Sequence, residues 1–314
     1  MTEAIGLDIG GTKIAAVLIA GDAGQVLERR TVPTPATEPG EIVRALVGAA
    51  TGLMTNQVRA IGIGAAGMVD RAGIVRYAPN LAYRDIALGS LVREAVGVPC
   101  HVENDGNAAA WAEYRFGAGR GVRDLLFVGV GTGIGGGIVS DGHLYRGMSG
   151  FAAEIGHIVV EPDGPLCGCG NRGCWEQLAS GSAIQRLGRA RAREHPDSLP
   201  VSMAGGDPEA VTGAMVTRAA HLGDEIAVRV LAEVGGRLGE GIAGLVNVLD
   251  PEVVVIGGGG MDAGELLLGP ARSSFKTTVE APGSRSNVPL RPAELGADAG
   301  GVGAALLALE ELGS

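Results

Sequence analysis

One short pattern occurs twice in this chain of 314 residues, and it narrows the available folds more than any other feature. Residues 4–10, "AIGLDIG", read as a strand entering a glycine-rich turn, and "KIAAVLIA" (13–20) reads as the returning strand. "LLFVGVG" (125–131) and "GGGIVS" (135–140) repeat the arrangement. Sliding Leu7–Leu18 onto Val128–Val139 sets Gly10 on Gly131, and the same offset sets Gly21 on Gly142. A second pair recurs too: "VRAIGIGAAG" (58–67) and "EVVVIGGGGM" (252–261) are both apolar strands running into loops of small residues. Meander, helix, strand and glycine loop, twice over, predict two related α/β domains.

In the first copy a "GDAG" turn (21–24) leads to a third strand, "QVLERRTV" (25–32), and "TPATEP" (34–39) is a loop. Short turns between consecutive strands imply antiparallel pairing. Ile42, Ala45, Leu46 and Ala49 are spaced for a helix from about Glu41 to Leu53, and a second is expected near Ser90 to Ala95. "VPCHVE" (98–103) is a strand that ends at Asn104 and Asp105, with a helix directly after it. Arg229, Glu233, Arg237 and Glu240 form one polar stripe on a long helix from Asp224 to Asn247, which Pro251 follows. "GGVGAALLALEEL" (300–312) makes a further helix, able to pack back on the first domain. The expected domains are 1–118, completed by 299–314, and 119–298, with a knuckle at 157–176.

Composition restricts partners. Hydrophobic residues make up 46% of the chain but aromatics only 3%, so Val, Ile, Leu and Ala must fill the core. The formal charge is −10 and no dense Lys/Arg run occurs, so no nucleic-acid partner is expected. No stretch of about 18 apolar residues offers a membrane span, and the first apolar residues lead straight into a glycine loop. A cytoplasmic protein with free thiols is the expectation.

Three of the four cysteines fall in "CGCGNRGCWE" (167–176). Disulfides need an oxidising compartment, and Cys167 and Cys169 are too close to bridge without strain. The other reading is a metal site. Cys167, Cys169 and Cys174 supply three thiolates, and His157, ten residues before Cys167, can complete a Cys₃His set. Four protein ligands leave no open position, so such a zinc would be structural. Gly168, Gly170 and Gly173 would permit the sharp backbone. Cys100 lies in an apolar strand and reads as a core residue.

"DIGGTK" (8–13) and "GTG" (131–133) each fit two readings. Each can be a plain hairpin turn, or a loop whose backbone N–H groups converge on phosphate. Neither has P-loop spacing, and a strand rather than a helix follows, which excludes the dinucleotide fingerprint. Asp105 likewise can be a helix cap or a general base. Glu154, His157 and Glu176, drawn together by a metal, would suit a polyol, whose hydroxyls need both donors and acceptors.

Taken together, "DIGGTK", "ENDGNAA", "GTGIGGG", "AAEIGH" and "CGCGNRGCWE" resemble the ROK family of repressors, open reading frames and kinases, along essentially the whole chain. The resemblance implies an actin-like sugar-kinase fold, with two α/β domains hinged about a cleft. It also implies phosphorylation of a hexose at its 6-hydroxyl, with ATP as donor and Mg²⁺ and structural Zn²⁺ as ions. By resemblance Asp105 is the base, and Asn104, Glu154, His157 and Glu176 hold the sugar beside the backbone of Gly67. Asp8, Gly10, Gly11, Thr12, Lys13, Gly131, Thr132 and Gly133 are assigned to the phosphate side, and Gly257 and Gly258 to the nucleoside end. A homo-oligomer, dimer or tetramer, is implied as well. Members often carry glycine where this chain has Ala153, whose methyl would narrow the sugar pocket.

Glucose is the expected substrate. Kinases for fructose, mannose or an N-acetylated amino sugar share the same hydroxyl ligands. Family members that use polyphosphate usually lack the knuckle. A sugar-sensing repressor of the same family would carry a DNA-binding domain ahead of Asp8, where seven residues stand here.

Overall fold

The computed structural model describes residues 2–313 apart from 22, 36–37, 79–83 and 285–286. The "GDAG" turn at Asp22 and the "TPATEP" loop at Ala36 and Thr37 therefore lie partly outside the described residues. Two compact units form. One comprises residues 1–127, 136–153 and 293–314; the other comprises 128–135 and 154–292.

The strands are β1 (Glu3–Ile9), β2 (Lys13–Ala20), β3 (Gln25–Pro33), β4 (Val58–Ala65), β5 (Met68–Val69), β6 (Val75–Tyr77), β7 (Arg84–Ile86) and β8 (Cys100–Asn104), followed by β9 (Leu125–Val130), β10 (Ile134–Ser140), β11 (His143–Leu144), β12 (Val253–Gly257) and β13 (Leu290–Pro292). The opening meander pairs antiparallel, as its short turns require, whereas β1–β4 and β4–β8 are parallel. Sheet order is β3-β2-β1-β4-β8 in one sheet and β11-β10-β9-β12-β13 in the other. These are the same order under the sequence repeat. In both sheets the flanking pairs agree in sense: β2–β3 and β10–β11 are antiparallel, β4–β8 and β12–β13 parallel. The duplication legible in the glycines is thus a duplication of topology. A small antiparallel sheet, β5-β6-β7, had no signal of its own in the sequence.

Helices form close to where periodicity puts them: Pro39–Thr51, Leu88–Val96, Asp105–Phe116, Glu225–Leu249 and Ala299–Gly313. On the long helix the stripe holds, with Arg229 paired to Glu225 and Arg237 to Glu240 and Glu161 at the surface. Its Gly235 and Gly239 let the helix Glu265–Thr278 approach so closely that a Cβ at either would overlap the backbone of Leu267 or Ala271. That partner helix carries Pro270 in its interior, where tertiary packing prevails over local propensity.

The helix Ala299–Gly313 belongs to the first unit and is buried from Ala299 to Ala308. Backbone lies on backbone there: side chains at Gly6, Gly62 or Gly303 would overlap Gly301, Ala304 and Ala108 respectively. Entry to this helix is fastened by the fully buried Glu113, whose carboxylate accepts backbone N–H bonds from Ala118, Glu294 and Leu295 at 2.8–3.1 Å. Among the described residues no helix is long and apolar enough to cross a membrane.

Candidate active site

In the first unit the chemistry gathers where parallel strands end. Register sets Asp8 of β1 against Gly64, and Ala65 of β4 against Asn104 of β8, so three neighbouring strands finish side by side. The carboxyl ends of parallel strands are where open α/β sheets take ligands. Asn104 adopts an extended backbone and its Oδ1 caps the following helix by accepting from Asn107 N at 3.0 Å. Its Nδ2 donates to the carbonyl of Gly67 at 3.0 Å. Gly67 sits at φ +114°, and any side chain would overlap the carbonyl of Tyr77, so glycine is obligatory there.

Asp105 is therefore the first helical residue rather than the cap, and the cap reading falls to Asn104. Its Oδ1 accepts from Gly106 N at 2.9 Å. Burial raises its carboxyl above the ordinary range, against the lowering of the Gly106 and Asp105 backbone N–H groups. Half-buried Asp8 is pushed up to about 7, by burial first and then by the charge of Asp105, with Lys13 opposing. Burial thus raises both carboxyls, and the charge of Asp105 adds to the rise at Asp8.

The "DIGGTK" loop is a closed turn: Gly10 N donates to Lys13 O at 3.0 Å. Gly11, Thr12 and Lys13 are exposed on it. Thr34 braces the loop twice, its Oγ1 donating to Gly10 O at 2.8 Å and its N to Thr12 O at 3.1 Å.

The second unit carries the matching loop. Gly131 N donates to Gly133 O at 2.9 Å, while the carbonyls of Gly131 and Thr132 accept from Gly181 and Ser182 at the start of the helix Gly181–Glu194. Gly258, at φ +86°, lies so close to Val130 that a Cβ would crowd its carbonyl. The Gly257–Gly258 turn thus adjoins the loop that begins at Gly131.

In the same unit Glu154, exposed, opens a short turn at Ile155–His157, with His157 N donating to Glu154 O at 3.1 Å. His157 and the three knuckle cysteines offer donor atoms that all lie within 4.8 Å of one another. His157 Nδ1 is 3.6 Å from Cys167 Sγ, and the sulphurs of Cys169 and Cys174 are 3.5 Å apart. Those spacings match the edges of a tetrahedron with Zn–S near 2.3 Å and Zn–N near 2.0 Å. All four cysteines are free thiols, which answers the disulfide alternative. The donor set fits zinc.

Gly170 (φ +93°) and Gly173 (φ +65°) supply the left-handed turns of the knuckle. Trp175 anchors the knuckle, buried against the long helix with Nε1 donating to Arg237 O at 2.9 Å. Glu176 follows it, with Oε1 3.1 Å from Cys167 Sγ and 4.0 Å from His157 Nδ1. Its Oε2 lies where a Cβ on Gly133 would stand. Cys100, partly buried against the first core, has its thiol raised by burial to about 12 and behaves as a core residue.

Sequence reasoning missed Thr34 and Glu103, which touch site residues from outside the glycine and cysteine motifs, and Arg146, which pairs with Glu103. Only "ENDGNAA" carried a signal, since Glu103 stands inside it.

Comparison with known proteins agrees with this geometry. A family model described as "ROK family" matches residues 4–311. The glucokinase of Streptomyces coelicolor is 45% identical over 310 residues, spanning 98% of this chain and 97% of that protein. An N-acetylmannosamine kinase of Escherichia fergusonii is 34% identical over 310 residues, with 98% of each covered. A ROK family glucokinase from Streptomyces griseus, solved in complex with glucose and AMPPNP, superposes with a TM-score of 0.91 at 44% identity over 98% of this chain and 99% of that one. Matched nearly end to end in sequence, with its two glycine loops, its Asn104–Asp105 junction and its Cys₃His knuckle in place, the chain belongs to the ROK family.

Proposed function

We propose that the chain is an ATP-dependent glucokinase, transferring the terminal phosphoryl group of ATP to the 6-hydroxyl of glucose. The observation that carries the reading is Asp105, a carboxyl raised by burial on the first helical residue after a parallel strand, where it accepts from Gly106 N. The 45% identity to a glucokinase and the likeness to one crystallised with glucose and an ATP analogue support the choice of substrates.

Asp105 takes the proton of the 6-hydroxyl as its oxygen attacks the γ-phosphorus, and the bond from that phosphorus to the β,γ-bridging oxygen breaks to release ADP. Asn104 keeps one amide hydrogen and one carbonyl lone pair beyond its bonds to Gly67 and Asn107, enough to orient a sugar hydroxyl. Glu154, His157 and Glu176 take further hydroxyls. The loops at Gly10–Lys13 and Gly131–Gly133 direct backbone N–H groups to phosphate, and Gly257–Gly258 leaves room for the nucleoside. Mg²⁺ bound with ATP would screen the β- and γ-phosphate charge.

His157, Cys167, Cys169 and Cys174 would hold a structural zinc, which with four protein ligands would supply no reaction chemistry. His157 would bind it through Nδ1, the nitrogen 3.6 Å from Cys167 Sγ, leaving Nε2 for the sugar. The protein works as a homo-oligomer in glycolysis in the cytoplasm.

A coupled ADP-release assay over glucose, fructose, mannose and N-acetylmannosamine tests the reading. Glucose should give the highest kcat/KM. Preference for N-acetylmannosamine would transfer the assignment to the amino-sugar kinases, and no turnover with any hexose would end the kinase reading.

A further inference from the structure

Two residues before Asp105, the carboxylate of Glu103 is buried, with 4% of its surface exposed. Oε1 accepts from Asn104 N and from Asn107 Nδ2, both at 3.0 Å. Oε2 accepts from Arg146 Nε at 2.6 Å. His101 Nε2 stands 4.0 Å away, too far for a direct bond, and has no hydrogen-bond partner. Four groups from two segments of the first unit thus surround one buried anion.

Burial by itself would raise the Glu103 carboxyl. Adjacent His101, the Arg146 charge and the Asn107 amide overcome it and bring it down to about 2, so it remains an anion throughout the working range. Arg146 lies on the segment 145–153, which is itself tied down. Gly147 O accepts from both Nε and Nη2 of Arg71, at 2.8 and 2.5 Å, and Ala152 N donates to Arg146 O at 3.2 Å. Arg146 is therefore delivered to Glu103 by a braced loop.

Building on the kinase reading, we infer that the Arg146–Glu103 pair is a positioning device for the base. It holds the Asn104 peptide and the Asn107 side chain, and so fixes the strand-to-helix junction that aims Asp105. Neither residue touches substrate. The pair acts through the two asparagines, one of which also bonds Gly67. A general base loses rate steeply with misplacement of about 1 Å, so the junction has to be tighter than helix capping alone would make it. Removing Arg146 leaves Glu103 as an unpaired buried charge, which then pulls water or reorients, loosening both asparagine bonds.

The test uses the full chain, with steady-state kinetics on glucose and ATP, thermal melting, and hydrogen exchange of peptides covering 103–107. Arg146→Met should lower kcat at least tenfold at temperatures where it is fully folded, with KM for ATP within about twofold of wild type. Arg146→Lys keeps the charge without the planar fork and should lose less than tenfold but more than twofold. Adding Glu103→Gln to Arg146→Met should restore much of the rate, since a neutral amide carbonyl still accepts from Asn104 and Asn107. Exchange at 103–107 should quicken in Arg146→Met and slow again in the double variant.

A kcat within twofold of wild type in Arg146→Met, or a double variant no faster than the single one, overturns the inference. If Arg146→Met does not fold, Arg146→Lys decides by the same twofold limit. A wild type without hexokinase activity defeats the proposed function instead. The exchange measurement then judges the pair alone, with unchanged protection counting against it.

Discussion

Glu176 places one carboxylate oxygen 3.1 Å from the sulphur of Cys167, while its other oxygen occupies the space beside Gly133. A single side chain thus reaches from the metal cluster to the glycine loop within one unit. Gly133 has no positive φ, so alanine is tolerable for the backbone there and its cost falls on Glu176. Gly133→Ala should leave the melting temperature within a few degrees yet raise KM for both glucose and ATP several-fold. Calorimetric titration of each ligand checks this; unaltered glucose affinity would mean that Glu176 does not serve the sugar.

Asp105→Asn should preserve the fold, because an amide oxygen still accepts from Gly106 N. It cannot take the hydroxyl proton, and turnover should fall by about 10²–10⁴. Glucose binding should change little. Retention of most of the turnover at neutral pH would return Asp105 to a structural role.

Cys169→Ser, at the exposed member of the cluster, should lose stoichiometric zinc. It should weaken glucose binding far more than ATP binding, since His157 and Glu176 both lean on the knuckle. Metal analysis and calorimetry of the same preparation decide. A zinc-free variant with normal glucose affinity would separate the knuckle from the sugar.

Asp8 makes stability depend on pH. A carboxyl raised from 3.8 to about 7 on folding contributes stability that is complete below 3.8 and lost as pH rises through about 7. Asp8→Asn removes the ionisation. Measured by chemical denaturation, it should stabilise the protein at pH 8 more than at pH 5, by on the order of a few kcal/mol. Equal effects at both pH values would show that Asp8 titrates normally.

Ala153 sits at φ +68°, a left-handed conformation that costs a residue with a Cβ about 1–2 kcal/mol. The strain at this position lies in the backbone itself. Ala153→Gly should stabilise the protein by on the order of 1 kcal/mol in chemical denaturation. No gain would place the strain elsewhere in the loop.

Much of this was legible in the sequence because it is local. Glycines mark the hairpins, the Asn104–Asp105 junction is a strand end and helix start in one motif, and the Cys₃His set is close in sequence. What stayed hidden is long-range. Thr34 braces Gly10 across 24 residues, and Arg146 meets Glu103 across 43, with no pattern to mark either. Pro270 lies inside a helix because Gly235 and Gly239 make room for that helix, which propensity alone argues against.

The glycine-lined seat of the helix Ala299–Gly313 has a consequence for biosynthesis. The sheet of β1, β2, β3, β4 and β8 is made early, yet its covering helix emerges only after the whole of residues 154–292. The usual order, in which the N-terminal part of a chain folds first during translation, is therefore unavailable to the first unit. Its sheet must wait with one face uncovered, and Glu113 must wait for Glu294 and Leu295. Meanwhile the second unit's long middle segment can already collapse. Ribosome-bound chains arrested before residue 293 should thus expose apolar strands to chaperones, and emergence of residues 293–314 is the step that closes the first unit.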